Sequence, residues 1–174
     1  MQIFNQDEVR FGQQGSVTRV WALVGSRPRA VRQTQYEYVY VIGATCAATG
    51  QAEAIIVPYL NTQIINEFLL QFSQALEKDV HAVLIWDGAG YHRAKDLHVP
   101  DNISLINLPP YSPELNPIEN LWHYLKSHCW SNRAYENYNT LFDAAEHAWK
   151  QHCLNPEFIK SVCFAPYLNC EITQ

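Results

Sequence analysis

The sequence has no excess of basic residues. Its 174 residues include 12 Lys and Arg against 17 Asp and Glu, which gives a formal net charge of −5. Proteins that hold nucleic acid on a basic surface show the opposite balance, so charge alone argues against a nucleic-acid partner. Charged residues make up only 17% of the chain, whereas hydrophobic residues reach 48%. This composition excludes intrinsic disorder, and the length is typical of one globular domain.

Long apolar runs are also missing. No stretch approaches the roughly 18 apolar residues that a membrane-spanning helix needs, so we expect no membrane partner. The N-terminal segment MQIFNQDEVR carries charges where a secretory signal peptide has an apolar segment. The sequence therefore predicts a cytoplasmic protein.

The cysteines follow no disulfide or zinc pattern. Their number is odd, and none forms a CxxC pair, which points to a reducing compartment. The spacing of His147, His152, Cys163 and Cys170 also matches no structural zinc site. We expect the thiols to be buried or incidental. The five cysteines are Cys46, Cys129, Cys153, Cys163 and Cys170.

The first half of the chain predicts strands. Segment 2–11 and segment 18–25 have strand-like content, and segment 37–50 is dense in Val, Ile, Tyr and Thr. Segment 52–60 continues this pattern as a meander. Segment 62–78 then repeats apolar residues at helical spacing, which predicts an amphipathic helix.

The second half predicts two further strands and then helices. Segments 81–90 and 103–110 are apolar runs typical of strands buried on both faces. Helices are predicted over 116–130, 138–153 and 155–164. A meander followed by β-α-β crossovers implies an α/β fold, in which a mixed sheet with antiparallel and then parallel strands is flanked by helices.

Asp87 is the first candidate site residue. It directly follows the predicted strand VLIW and precedes Gly88, Ala89 and Gly90. Active sites of open α/β sheets gather at the carboxyl ends of strands, where a carboxylate is a good metal ligand. A role in capping the turn is the structural alternative.

Two further acidic positions are ambiguous on their own. With Asn116 as N-cap, Glu119 occupies the N3 position of a capping box, where Glu is favoured for structural reasons alone. Asp7 and Glu8 are adjacent in the first strand, so their side chains point to opposite faces and only one can enter a given site.

Longer motifs give these positions a context. IWDGAGYHRAK (85–95) and LPPYSPELNPIENLWHYLK (108–126) resemble the DDE transposases of bacterial insertion sequences in the mariner superfamily. QDEVRFG (6–12) and RVWALVG (19–25) are similar to the opening of the same family. The resemblance runs from about residue 4 to residue 150. It implies a ribonuclease H-like fold for the chain.

The resemblance also implies a catalytic and metal-binding triad of Asp7, Asp87 and Glu119. Such acids hold two Mg²⁺ ions, with Mn²⁺ as a substitute, roughly 3.5–4 Å apart on the nucleophile and on the leaving oxygen. We expect Asp87 to bridge the ions, with Asp7 and Glu119 each holding one. The implied reaction is metal-dependent cleavage of DNA strands at element ends, followed by strand transfer into target DNA.

Residues near the triad are candidates for contacts with DNA. His92 follows Asp87 in the family's Asp-x-x-x-x-His pattern, and a structural role for it is an equal alternative. Arg93 and Lys95 are predicted phosphate contacts. Tyr111 and Ser112 either line the DNA path or form a turn. Trp122 is predicted to be a core residue, one helical turn after Glu119.

The resemblance implies partners as well. These are DNA, as terminal inverted repeats of the element and as target, and a second copy of the chain in a homodimer. The family places helix-turn-helix modules ahead of the catalytic domain, yet Asp7 lies close to Met1. We therefore expect residues 1–174 to be a single catalytic domain without that module, which is separately encoded, lost or cut off.

Two other functions stay open. The chain could be a purely hydrolytic ribonuclease H-like nuclease, or a non-catalytic remnant that dimerises with a full-length transposase and regulates it. The acidic balance fits the leading interpretation if bound Mg²⁺ offsets the three carboxylates. In that case, DNA binding by this domain alone is weak and depends on the metal.

Overall fold

The computed structural model describes residues 1–13, 17–29, 33 and 36–166, apart from the side chains of Tyr91 and Arg93. Cys170 therefore lies outside the described residues. The strands are β1 Gln2–Gly12, β2 Tyr38–Thr45, β3 Ala52–Val57, β4 Ala82–Trp86 and β5 Ile103–Asn107. The helices are α1 Thr62–Ala75, α2 Ile118–Tyr124, α3 Tyr138–Ala148 and α4 Pro156–Val162. No helix in the described ranges combines the length and the apolar content needed to cross a membrane.

The strands form one mixed sheet in the order β3-β2-β1-β4-β5. β1 pairs with β2, and β2 with β3, in antiparallel fashion, whereas β4 is parallel to both β1 and β5. The crossover between β3 and β4 runs through α1, which begins where the Asn61 side chain accepts the N–H of Ile64 at 2.8 Å. The antiparallel meander and the parallel strands predicted from the sequence are confirmed.

The two faces of the sheet are covered by different helices. Phe4 of β1 packs with Phe68 and Phe72 of α1 on one face. Val9 of β1 packs on the other face with a cluster from α2, α3 and α4 that includes Trp122. Because strand side chains alternate, the two faces of β1 receive Glu8 and Asp7 respectively.

Segment 18–25 is not a strand, contrary to the sequence prediction. Residues 17–29 lie in no strand or helix, and Trp21 and Val24 are fully exposed. β1 pairs directly with β2, starting from Gly12 and Tyr38, so the place beside β1 is already taken. The apolar residues of segment 18–25 do not indicate which segment pairs with β1.

β5 also differs from its prediction. Its apolar sequence predicts burial on both faces, but β5 lies at the edge of the sheet, and Ile106 is 51% exposed. An edge strand has a neighbour on one side only, which leaves more of its surface open to solvent. The predicted helices are found, with π-helical segments Leu125–Trp130 and Trp149–Cys153 continuing α2 and α3.

Candidate functional site

Asp7 and Asp87 lie side by side because β1 and β4 are parallel. Asn5 pairs with Ile85, and each aspartate follows its strand's paired residue by two positions. Both line a cavity of about 470 Å³ outside the carboxyl ends of β4 and β5, where active sites of open α/β sheets form. Glu119 lines the same cavity. The fold therefore brings the three predicted metal ligands together.

The carboxylate of Asp7 has an unusual environment. Burial raises its pKa to about 7, and the nearby charges of Glu119 and Glu8 contribute to this rise. A hydrogen bond from the indole N–H of Trp122 to Oδ2, at 2.9 Å, opposes it. Asp7 therefore exchanges a proton close to neutral pH.

Trp122 has a role that its predicted assignment to the core did not include. Its side chain is 1% exposed, as predicted, but its indole nitrogen also anchors Asp7. The signal in the sequence is that a buried Trp needs a hydrogen-bond acceptor, and that residues three apart on a helix share a face. Trp122 stands three positions after Glu119 and reaches Asp7 of β1 from α2.

Glu119 is placed by the start of α2. Asn116 was predicted to cap this helix with its side chain, and that prediction is wrong: no side chain caps α2, and Pro117 precedes its first residue. Instead, the Asn116 amide donates to the main-chain oxygen of Gln6 at 2.9 Å, inside the protein. This bond ties the helix start to β1 and so holds Glu119 near Asp7.

Asp87 is held by the turn that follows β4. Its Oδ1 atom accepts the N–H of Ala89 at 3.0 Å and lies 3.0 Å from Nδ1 of His92. More than half of the Asp87 side chain is exposed to the cavity and solvent. Asp87 therefore both stabilises the turn and lines the cavity, so the two alternatives considered from the sequence occur together.

His92 is buried rather than presented on the surface. It belongs to a 3₁₀ turn, Gly90–Arg93, and its ring contacts Asp87 on one side and Glu8 on the other. Lys95 is exposed two residues after this turn. The side chain of Arg93 lies outside the described residues. Direct DNA contacts by His92, Arg93 and Lys95 stay predictions.

The chemistry of the cavity suits a hard divalent cation. Its three carboxylates are the oxygen ligands that Mg²⁺ prefers. In the described part of the chain, no Lys or Arg forms an ion pair with Asp7 or Glu119, so their charges are not offset by a cationic side chain. Mutual repulsion between these carboxylates adds to the raised pKa of Asp7, and a bound cation relieves it.

Comparison with known sequences gives one family. Residues 2–142 match the family described as DDE superfamily endonuclease. A Sinorhizobium fredii (strain NBRC 101917 / NGR234) protein, "Uncharacterized protein y4pE/y4sA", is 38% identical over 125 residues, which cover 72% of this chain and 93% of that protein. "Insertion element IS630 uncharacterized 39 kDa protein" of Shigella sonnei is 25% identical over 127 residues, which cover 71% of this chain and 37% of that protein.

Comparison with solved structures gives the fold. The pre-cleavage Mos1 transpososome matches with a TM-score of 0.68 and 14% identity, over 93% of this chain and 52% of that one. The Mos1 mariner paired end complex with Mn matches with a TM-score of 0.67 and 14% identity, over 93% of this chain and 51% of that one. The chain thus spans about half the length of these structures. The likeness confirms the ribonuclease H-like fold expected from the sequence.

Proposed function

The chain belongs to the DDE superfamily of endonucleases and has the fold of a transposase catalytic domain, and we propose that it cleaves DNA strands at the ends of a mobile element and joins them to target DNA. The observation that carries this proposal is the convergence of Asp7, Asp87 and Glu119 in one cavity. They come from β1, from the turn after β4 and from α2. The sequence similarity to an insertion-element protein supports it further.

We assign all three carboxylates as catalytic residues and as metal ligands. Asp87 would supply oxygen ligands to both ions, and Asp7 and Glu119 would each hold one. Mg²⁺, with Mn²⁺ as a substitute, fits this set because both ions accept a few carboxylate oxygens and keep several waters. When bound, two such ions activate the attacking water or 3′-hydroxyl and stabilise the leaving oxygen.

The remaining residues of the site prepare these ligands. Asp7 must release its proton before it can bind a cation, and the N–H of Trp122 favours the ionised form. The Asn116 amide holds the start of α2 against β1. For His92, its buried position supports a role exerted through Asp87.

DNA approaches the cavity from its solvent side. Tyr111 and Ser112 lie on the cavity wall, and the Tyr111 side chain is 100% exposed, which supports a contact with a base or sugar. Lys95 and Arg93 are proposed phosphate contacts beyond the 3₁₀ turn. With a net charge of −5, we expect DNA binding by this chain alone to be weak and to require the metal.

Two protein partners form part of the proposal. One is a second copy of the chain, and we place that contact at the exposed apolar side chains of segment 17–29, which include Trp21, Leu23 and Val24. The other is a helix-turn-helix module that recognises element ends, because the longer relatives extend well beyond the matched part. A cytoplasmic location is also proposed, where the free thiols of the described cysteines persist.

The test uses the purified chain, Mg²⁺ or Mn²⁺, and duplex DNA carrying the element end. We expect nicking that Asp87→Asn abolishes and that Asp101→Asn, a change at an exposed turn, leaves intact. A pre-cleaved end supplied with target DNA then yields a joined product only if the chain is a transposase. Hydrolysis without joining supports the nuclease alternative. Binding to a full-length transposase without any cleavage supports the regulatory alternative.

A further inference from the structure

Glu8 and His92 lie behind Asp87, outside the set of three carboxylates assigned above. Nε2 of His92 is 2.9 Å from Oε1 of Glu8, and Nδ1 is 2.9 Å from the main-chain oxygen and 3.0 Å from Oδ1 of Asp87. The side chains of His92 and Glu8 are only 1% and 4% exposed. A charged side chain is rarely buried so deeply unless it is paired, so we ask what the pairing of Glu8 with His92 contributes to the site.

Both ring nitrogens of His92 are placed as hydrogen-bond donors. Their partners are carboxylate and carbonyl oxygens, which accept hydrogen bonds. Gln6 Nε2 donates to the same Oε1 of Glu8 at 2.7 Å, so Glu8 is held as an acceptor from a second side. The ring thus donates to Glu8 on one side and to Asp87 on the other.

The plane of the ring is fixed as well. The imidazole of His92 stacks on the indole of Trp86, with centroids 4.0 Å apart and planes at 11°. The Trp86 indole in turn donates to Oδ1 of Asn107, at the end of β5, at 2.9 Å. The orientation of His92 is therefore set by β4 and β5, the strands whose ends form the cavity.

We propose that Glu8 and His92 are positioning residues that fix the carboxylate of Asp87 for metal binding, an inference that rests on the proposed function. Oδ1 of Asp87 is taken up by Ala89 and His92. Among the described residues, Oδ2 has no hydrogen-bond partner, so this oxygen is left to bind the ion. Neighbouring residues of β1 then serve the site from opposite faces, with Asp7 as a ligand and Glu8 supporting the ligand on β4.

Direct metal ligation by this cluster is the competing explanation. Glu8, Asp87 and His92 lie close enough together to offer ligands to one ion. Each imidazole nitrogen bonds along one direction in the ring plane, and here the two directions lead to different carboxylates. A single ion cannot take the place of both contacts. The geometry therefore favours hydrogen bonding, and direct ligation is an outcome of the test.

The test measures Mn²⁺ binding to the chain by isothermal titration calorimetry, without DNA. His92→Phe keeps a flat ring on Trp86 but removes both donors, and Glu8→Ala removes the carboxylate. We expect each to weaken Mn²⁺ binding by about 10- to 100-fold, the usual cost of losing a group that orients a metal ligand. His92→Asn, which keeps one donor, recovers most of the loss. His147→Phe, a change at an exposed position of α3, leaves the affinity unchanged.

Three results overturn the proposal. The first is unchanged Mn²⁺ affinity in a folded His92→Phe variant. The second is a double variant, Glu8→Ala with His92→Phe, whose loss is the sum of two independent losses, because residues acting as one unit are not additive. The third is an electron paramagnetic resonance spectrum showing an imidazole nitrogen bound to Mn²⁺. If His92→Phe does not fold, Glu8→Gln against Glu8→Ala decides, because Gln keeps an acceptor oxygen and retains most of the affinity.

The outcome is distinguishable from that of the proposed function because no DNA is present. If the chain cuts no DNA but His92→Phe weakens Mn²⁺ binding, the positioning role is supported and the transposase assignment is contradicted. If the chain cuts DNA and its His92→Phe variant binds Mn²⁺ as tightly as the parent, the transposase assignment is supported and the positioning role is contradicted.

Discussion

The indole nitrogen of Trp122 lies 2.9 Å from Oδ2 of Asp7, so the hydrophobic core donates a hydrogen bond directly to a proposed metal ligand. The indole is buried among side chains of α2, α3 and the sheet. Packing on that side of the sheet therefore affects the protonation of Asp7.

Trp122→Phe removes the donor and keeps most of the ring. Without the N–H, the pKa of Asp7 rises further, and Mn²⁺ binding at neutral pH weakens, by about tenfold or more if the bond contributes the roughly 1.5–3 kcal/mol usual for a charged partner. Calorimetry measures the change. Trp149→Phe is the matched control, because Trp149 packs in the same cluster with its ring centroid 6.3 Å from that of Trp122. An equal loss in both variants contradicts the prediction.

The pH dependence of metal binding follows from the pKa of Asp7. Since this pKa is raised from 3.8 to about 7, a cation must displace a proton from Asp7 at lower pH. We expect Mn²⁺ affinity to rise about tenfold per pH unit up to about pH 7 and then to level off. Glu119→Gln removes one cause of the raised pKa and shifts the plateau to lower pH. A dependence that survives Asp7→Asn contradicts this assignment.

Without metal, the same group makes stability depend on pH in the opposite direction. The folded chain holds the Asp7 proton more tightly than the unfolded chain does. This contribution to the free energy of unfolding is therefore complete below pH 3.8 and is lost as pH rises to about 7. Urea unfolding of the parent and of Asp7→Asn at several pH values isolates it. Added Mn²⁺ restores stability above pH 7, because it binds the ionised form.

Gly43 pairs with Asp7 across β1 and β2 and leaves room for Trp122. A Cβ atom at this position lies 2.9 Å from Cη2 of Trp122 and 3.2 Å from Cη2 of Trp149, which is too close for an unshifted ring. Gly43→Ala should lower the free energy of unfolding by about 1–3 kcal/mol, the usual cost of overpacking, and weaken Mn²⁺ binding as well. Gly90→Ala, where the added Cβ has no atom within 4 Å, should cost little. Urea unfolding compares the two variants.

The sequence predicted the five strands of the sheet, the helices and three acidic site candidates, but it also predicted a strand over 18–25 that is absent, and it did not predict the contacts that hold those acids. Helical and strand periodicity arises from burial within each element, so it can be read locally. The side-by-side placement of Asp7 and Asp87 depends on the register of Asn5 against Ile85, which local patterns do not encode. Asn116 was interpreted as a cap because the Asn-Pro pattern is local, whereas its actual partner, Gln6, is 110 residues away in the chain.

Replacing Tyr111 should weaken DNA binding without lowering the stability of the fold. Its backbone has φ of 59°, a left-handed conformation that costs a bulky residue on the order of 1–3 kcal/mol, and its side chain is fully exposed at the cavity. Tyr111→Gly should leave stability unchanged or increase it, but weaken DNA binding by the roughly 1–3 kcal/mol of a lost stacking contact. Tyr111→Phe should bind DNA like the parent. Fluorescence anisotropy with end DNA and Ca²⁺ measures this, and equal binding by all three proteins contradicts it.

The exposed segment 17–29 tests the proposed homodimer. Trp21 and Val24 are fully exposed, and Leu23 is 85% exposed, although large apolar side chains are favoured in protected positions. The segment is fixed at Thr18, whose N–H and C=O both bond to the Asn132 amide, so it is held out from the sheet.

The double substitution Trp21→Ser with Val24→Ser should shift the chain from dimer to monomer in sedimentation equilibrium. The free energy of unfolding measured on the monomer should stay within about 0.5 kcal/mol of the parent value, as is usual for surface changes. Leu70→Ser, at an exposed position of α1, controls for loss of an apolar surface residue. A mass that does not change, or a parent that is monomeric at all concentrations, contradicts the placement of the contact between copies at this segment.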